Sequence, residues 1–135
     1  MLADQPHVIN LSVPLDRRHA STIRLMASSV AADAGLSIDD IDDFRLGINE
    51  VVSVLADEPT GTDGRLVLEF SVAPGIVHAT VSRTDGAGAA ELDELARRIL
   101  DAVVDHHEYE RGSFRLVKTA SDRDPDPDRD PGDGD

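Results

Sequence analysis

Cysteine is absent from the chain, which removes disulfides and thiolate metal ligands and leaves the redox compartment open. Tryptophan is absent too, and aromatic residues make up 3% of the sequence, so a core must be built from Val, Leu, Ile and Ala. Basic residues are few, 13 against 27 acidic ones, for a formal net charge of -14. No apolar run approaches the roughly 20 residues that a membrane-crossing helix needs. The stretch Met1 to Val8 has no basic region followed by an apolar one, so no secretory leader is expected and a cytoplasmic location is the default.

What is present is 40% apolar and 30% charged residues in a chain of 135, enough for one domain with a core and too few for two. The acidic surplus is partly local. Ser121 to Asp135 holds seven Asp and two Arg, which takes -5 of the -14 and leaves -9 to the body. Such a body repels the phosphates of nucleic acid and of anionic lipid, so neither nucleic acid nor membrane is expected as a partner. It favours a basic protein partner, or it serves solubility alone.

Local patterns divide the chain. His7 to Leu15 alternates, with Ile9, Leu11, Val13 and Leu15 on one face of a half-buried strand that Pro14 ends or confines to an edge. Asp16 can cap a helix from Arg17 to about Ala34, where Ile23, Met26, Val30 and Ala34 recur at helical spacing and Gly35 follows. Ser37 and Asp40 form a capping-box-like start to a second helix. It runs to about Ala56 with Ile38, Ile41, Ile48, Val52 and Leu55 as its stripe, widened by Phe44 and Val51. A turn-rich loop from Glu58 to Gly64 leads to two alternating strands joined by Pro74-Gly75, an antiparallel hairpin. A third helix is expected from about Ala90 to His106, with Leu92, Leu95, Ile99 and Val103 as its stripe. Dipole interaction at its end accounts for His106 and His107, and no metal ligand set is evident. A last strand spans Ser113 to Thr119.

The element order β-α-α-β-β-α-β with short connections predicts an α+β fold: a two-layer sandwich, a mixed, mostly antiparallel sheet with its helices on one face. Residues 1–6 are expected to be a flexible N-terminus, residues 7–120 the domain, and residues 121–135 a disordered acidic tail, since Asp, Pro, Arg and Gly bury too little surface to offset ordering entropy.

Two places could carry chemistry. Leu46, Glu50 and Val54 are spaced four apart on one helix face, and an acid there can orient water or bind a metal through water, or be a solvated surface glutamate. The stretch Arg83-Thr84-Asp85-Gly86-Ala87-Gly88 follows the hairpin as a glycine-containing loop, either a site or a turn out of a strand.

The stretch Asp43-Phe44-Arg45-Leu46-Gly47-Ile48-Asn49-Glu50 resembles the first nucleotide-binding motif of the anti-sigma factor serine kinases, members of the histidine-kinase-like (GHKL) ATPase superfamily. The similarity runs from about His7 to Thr119 in the order of elements, and Arg24 resembles an arginine of the family's first helix. The resemblance implies a histidine-kinase-like ATPase sandwich with Glu50 as the catalytic acid and Asp85, Gly86 and Gly88 at the nucleotide base. Where the family has a magnesium-binding asparagine this chain has Val54, which offers no oxygen, and Asn49 points about 100° away around the helix. In strict register with the two glycines, the aspartate position holds Thr84, and Asp85 serves after a one-residue shift. The lid region Ala89 to Leu95 has no glycine and three carboxylates.

The resemblance therefore implies an anti-sigma factor-like regulator whose partners are a sigma factor and an anti-anti-sigma factor, with a possible homodimer. No cofactor and no metal site are expected, with ATP and magnesium as the cofactors if the family activity is retained. The alternative is an active kinase that phosphorylates the anti-anti-sigma factor. A third possibility is a subunit that pairs with an intact homologue.

Overall fold

A computed structural model describes residues 7–57 and 64–121. The expected N-terminal segment 1–6, residues 58–63 of the expected loop from Glu58 to Gly64, and the acidic tail beyond Ser121 lie outside the described residues.

Strand β1 (His7–Pro14) is followed by a 3₁₀ turn (Arg17–His19), α1 (Ala20–Asp33) and α2 (Ile38–Asp57). Then come β2 (Arg65–Ala73), β3 (Ile76–Arg83), α3 (Glu94–Val103), β4 (His106–Glu110) and β5 (Ser113–Thr119). The strands lie in the order β1-β2-β3-β5-β4, and each of the four ladders is antiparallel. The expected two-layer sandwich forms, its sheet antiparallel throughout the described residues and its helices on one face.

Period-two alternation creates the sheet's inner face. Leu66, Leu68, Phe70 and Val72 of β2 are buried, as are Val77, Ala79 and Val81 of β3 and Phe114 and Leu116 of β5. Opposite them lie Phe44, Ile48, Val51, Val52 and Leu55 of α2 and Ile23, Ala27, Val30 and Ala31 of α1. Phe44 meets Phe70 edge-on with ring centroids 6.2 Å apart, a favoured aromatic geometry. Gly47 lets α2 approach the end of α3: a Cβ there would stand 3.0 Å from Cγ1 of Val104.

The caps are largely those the residue types dictate. Asp16 accepts from the Arg18 amide at 2.9 Å, although what it starts is the 3₁₀ turn and α1 begins at Ala20. Ser37 Oγ accepts from the Asp40 amide at 3.1 Å, the serine half of a capping box. Asp40 does not complete the box; it is buried, takes the Ser121 amide at 2.9 Å and faces the Lys118 ammonium at 3.7 Å.

Three expectations need correction. The third helix starts at Glu94, not near Ala90, because Asp93 is its cap and accepts from the Ala96 amide at 2.9 Å. Its buried residues are Ala96, Leu100 and Val103, while Leu95 is 67% exposed; likewise Ile38 of α2 is 77% exposed. His106 and His107 do not end that helix but open strand β4, which is additional to the expected elements. Val104 turns the chain to an extended conformation, and the Asp105 amide reaches the Val117 carbonyl at 2.9 Å, which starts the β4–β5 pairing.

Candidate functional site

Helix α2 packs on α3, whose cap Asp93 acts on Glu50, and Arg83 at the end of β3 reaches the Leu55 carbonyl of the same helix. Glu50 lies one turn beyond Leu46 on α2 and is half-buried. Burial raises its carboxyl above the ordinary range, and the nearby carboxylates of Asp93 and Asp57 push it further the same way. Asp93 is there because it caps α3, so α3 brings a negative group to Glu50. Val54, one turn further along, packs against the hydrophobic core. Asn49 turns toward α1, where its Oδ1 accepts from Nη1 of Arg24 at 3.0 Å. The family-like arginine of the first helix thus ties α1 to α2 beside Glu50.

The loop end is built around Arg83. This residue shares strand parity with Val77, Ala79 and Val81, so its guanidinium is carried inward and its side chain is fully buried. It donates to both oxygens of Asp85, at 2.9 Å from Nε and 2.7 Å from Nη2, and to the Leu55 carbonyl of α2 at 2.8 Å. The fork geometry suits a carboxylate, and the buried charge requires such partners. Asp85 also accepts from the Ala87 amide at 3.0 Å. Thr84, the in-register alternative, accepts from the Arg65 amide at 3.0 Å.

Gly86 and Gly88 lie in the loop that crosses the β4–β5 turn. A Cβ on Gly88 would be 2.6 Å from the Gly112 nitrogen, and one on Gly112 would be 2.6 Å from the Ala87 carbonyl oxygen. Gly112 also has φ +77, a conformation that L side chains rarely adopt. Tyr109 donates to the Ala89 carbonyl at 2.6 Å, and Arg111 Nη1 donates to the Gly88 carbonyl at 2.8 Å. Gly88 and Gly112 permit backbone to meet backbone, and the polar groups around them hold that contact, whereas a Cβ on the exposed Gly86 would meet nothing within 4 Å.

Arg83, Tyr109 and Arg111 escaped the sequence reading. A signal existed for Arg83: it continues the buried alternation of β3 with an acid two residues on. Nothing comparable marked Tyr109 and Arg111, which matter through a strand whose pattern is polar.

Among the described residues, no group of three or more His, Cys, Asp or Glu could hold a metal ion. His106 pairs with Glu108 at 2.8 Å and His107 with Asp101 at 2.7 Å. No helix among the described residues is long and apolar enough to cross a membrane.

The two-layer fold matches the histidine-kinase-like ATPase type. No family model matches the sequence. The chain is similar to the serine-protein kinase RsbW of Halalkalibacterium halodurans, at 29% identity over 70 residues, covering 52% of this chain and 43% of that protein. In structure it resembles the RsbU and RsbW domains of Rv1364c from Mycobacterium tuberculosis, with a TM-score of 0.63, 20% identity and coverage of 84% of this chain and 32% of that one. The likeness to RsbW-type domains is distant, and the chain spans less than half the length of each of these relatives.

Proposed function

We propose that this chain is an anti-sigma factor-like regulator, working in the cytoplasm, that binds and sequesters a sigma factor in a partner-switching system, with weak or no use of ATP. The observation that carries the reading is Val54. Its aliphatic side chain packs against the core one turn after Glu50, where a bound magnesium nucleotide would need an oxygen donor. The partnering of Asp85 by Arg83 supports the same reading, since both carboxylate oxygens are already engaged. So does the charge next to Glu50, where Asp57 and Asp93 repel a triphosphate.

The sigma factor is proposed on the likeness to RsbW-type domains and on charge. Helix α2 carries six acids against one arginine, and a DNA-binding partner presents basic surface. An anti-anti-sigma factor would compete for the chain and free the sigma factor. The kinase reading keeps one observation in its favour: a half-buried glutamate with a raised pKa is the kind of group that general acid–base catalysis uses.

Titration of purified bacterial sigma factors against the full chain, with and without magnesium ATP, tests the proposal. Saturable binding to one of them, weakened by salt and unchanged by nucleotide, is expected. Failure of every sigma factor to bind, or phosphate transfer to an anti-anti-sigma factor that stops on Glu50→Gln, overturns it.

A further inference from the structure

The sides of helix α3 can be told apart by their neighbours. Ala96, Leu100 and Val103 are its buried residues. Asp101 pairs with His107 of β4 at 2.7 Å, and Arg97, one turn earlier, lines a small cleft with His107 and Tyr109. That side of α3 faces the β4 edge. At about 100° per residue, Leu95, Ile99 and Ala102 fall on the opposite side, toward α2. The two helices run antiparallel: Gly47 of α2 lies against Val103 and Val104 at the end of α3, while Asp93 at its start acts on Glu50, further along α2.

The α2 row on this side is Leu46, Glu50 and Val54, also at helical spacing. The two rows bound a furrow on the outer surface of the helical layer. Its flanks are apolar and uncovered: Leu46 is 52% exposed, Leu95 is 67% exposed and Ile99 is half-buried. A single exposed leucine is ordinary, but here two flank an acid that lacks a counter-charge. Asp57 and Asp93 repel Glu50, and among the described residues it takes no hydrogen bond or ion pair.

We propose that the α2–α3 furrow docks an amphipathic helix of a protein partner, with apolar side chains against Leu46 and Leu95 and an Arg or Lys between them on Glu50. Such docking rests on the reading above that the chain holds a protein partner, and it says where the grip lies. Side chains three or four apart on an incoming helix form ridges that fit the groove between two others. Charge selects the occupant. A cation on Glu50 offsets the repulsion from Asp57 and Asp93, which a phosphate or an acidic helix would increase. A second copy of the chain presenting α2 would bring six acids and one arginine to the same place.

The probe is a fluorescein-labelled synthetic helix with Leu at i and i+7 and Arg at i+4 on one face, read by anisotropy against the full chain. A second peptide carries Glu in place of that Arg. Saturable binding of the Arg peptide alone is expected. Leu46→Ser and Leu95→Ser should each raise its dissociation constant about tenfold, and Glu50→Gln about fivefold. Leu25→Ser, at an equally exposed leucine of α1, should change nothing. All four side chains lie at or near the surface, and unchanged circular dichroism spectra check that the fold is kept. No saturation by the Arg peptide up to about 1 mM overturns the proposal. Equal binding of the Glu peptide, or a loss on Leu25→Ser in place of the other two leucines, does the same. A sigma factor that binds the native chain should be weakened by the same two leucine variants. Sigma-factor binding that ignores both overturns the furrow and leaves the proposed function standing. Peptide binding without any sigma-factor binding strikes the sigma factor and keeps the furrow.

Discussion

Glu50 and Asp85 are both carboxylates of the candidate site, and they sit in opposite conditions. Asp85 is held by a buried guanidinium and a backbone amide, and the same guanidinium ties the start of the β3–α3 loop to α2. Glu50 faces two other acids from a half-buried position, and its proton is held more tightly than usual. Resemblance alone treats the two as parts of one nucleotide site. The side-chain partners separate them: one acid is spent on architecture, and the other is kept at a cost to stability.

The largest expected effect comes from removing the architectural partner. Arg83→Leu leaves the Leu55 carbonyl and Asp85 without their buried donor and should cost about 3 kcal/mol in urea unfolding. Amide exchange should quicken at Ala87 and Gly112 in the same variant. A loss below about 0.5 kcal/mol would show that Asp85 needs no such partner and would restore the likeness between the two acids.

Gly88→Ala comes next. Its methyl group would collide with the backbone of Gly112, and a loss of about 2 kcal/mol is expected by the same denaturation measurement. Neutrality would mean that the loop does not rest on the β4–β5 turn.

Glu50→Gln should act in the opposite direction. Because the folded protein raises this pKa, the ionised form is disfavoured by folding. Glu50 costs nothing below the pKa of the unfolded chain, and the cost is complete once pH has risen through the folded pKa. The variant should therefore be more stable at neutral pH by roughly a few tenths of a kcal/mol, a modest gain because solvent screens a half-exposed group. Thermal melts at several pH values should show the gain fading as pH falls through the carboxylate range. Asp93→Asn should have the smallest effect. It keeps an oxygen for the α3 cap and removes a repelling charge, so the Glu50 carboxyl should titrate lower by carbon-detected nuclear magnetic resonance.

Much of this framework was legible because large aliphatic residues repeat at fixed periods. Helix α2 announces itself through Phe44, Ile48, Val51, Val52 and Leu55, and β2 through Leu66, Leu68, Phe70 and Val72. Strand β4 was not legible, since an edge strand with half-buried His107 and Tyr109 leaves no apolar alternation to read. The Arg111-Gly112 turn was its one signal. Helix α3 departs from its apolar pattern: the large Leu95 is exposed, and the buried position belongs to the smaller Ala96. Glu50 could be picked out by motif, but not its surroundings: Asp93 reaches it only through the packing of α3 on α2, which a one-dimensional pattern does not contain. The roles of Gly86 and Gly88 were open in the sequence, and the close approach of Gly112 to Gly88 gives a structural reason for Gly88 independent of any ligand.

Calorimetric titration of the full chain with magnesium ATP bears most directly on the proposed loss of nucleotide chemistry. With an aliphatic side chain after Glu50 and Asp85 bound to Arg83, no saturable heat is predicted for the native chain or for Glu50→Ala. Saturable binding by the native chain that disappears in Glu50→Ala would contradict the account.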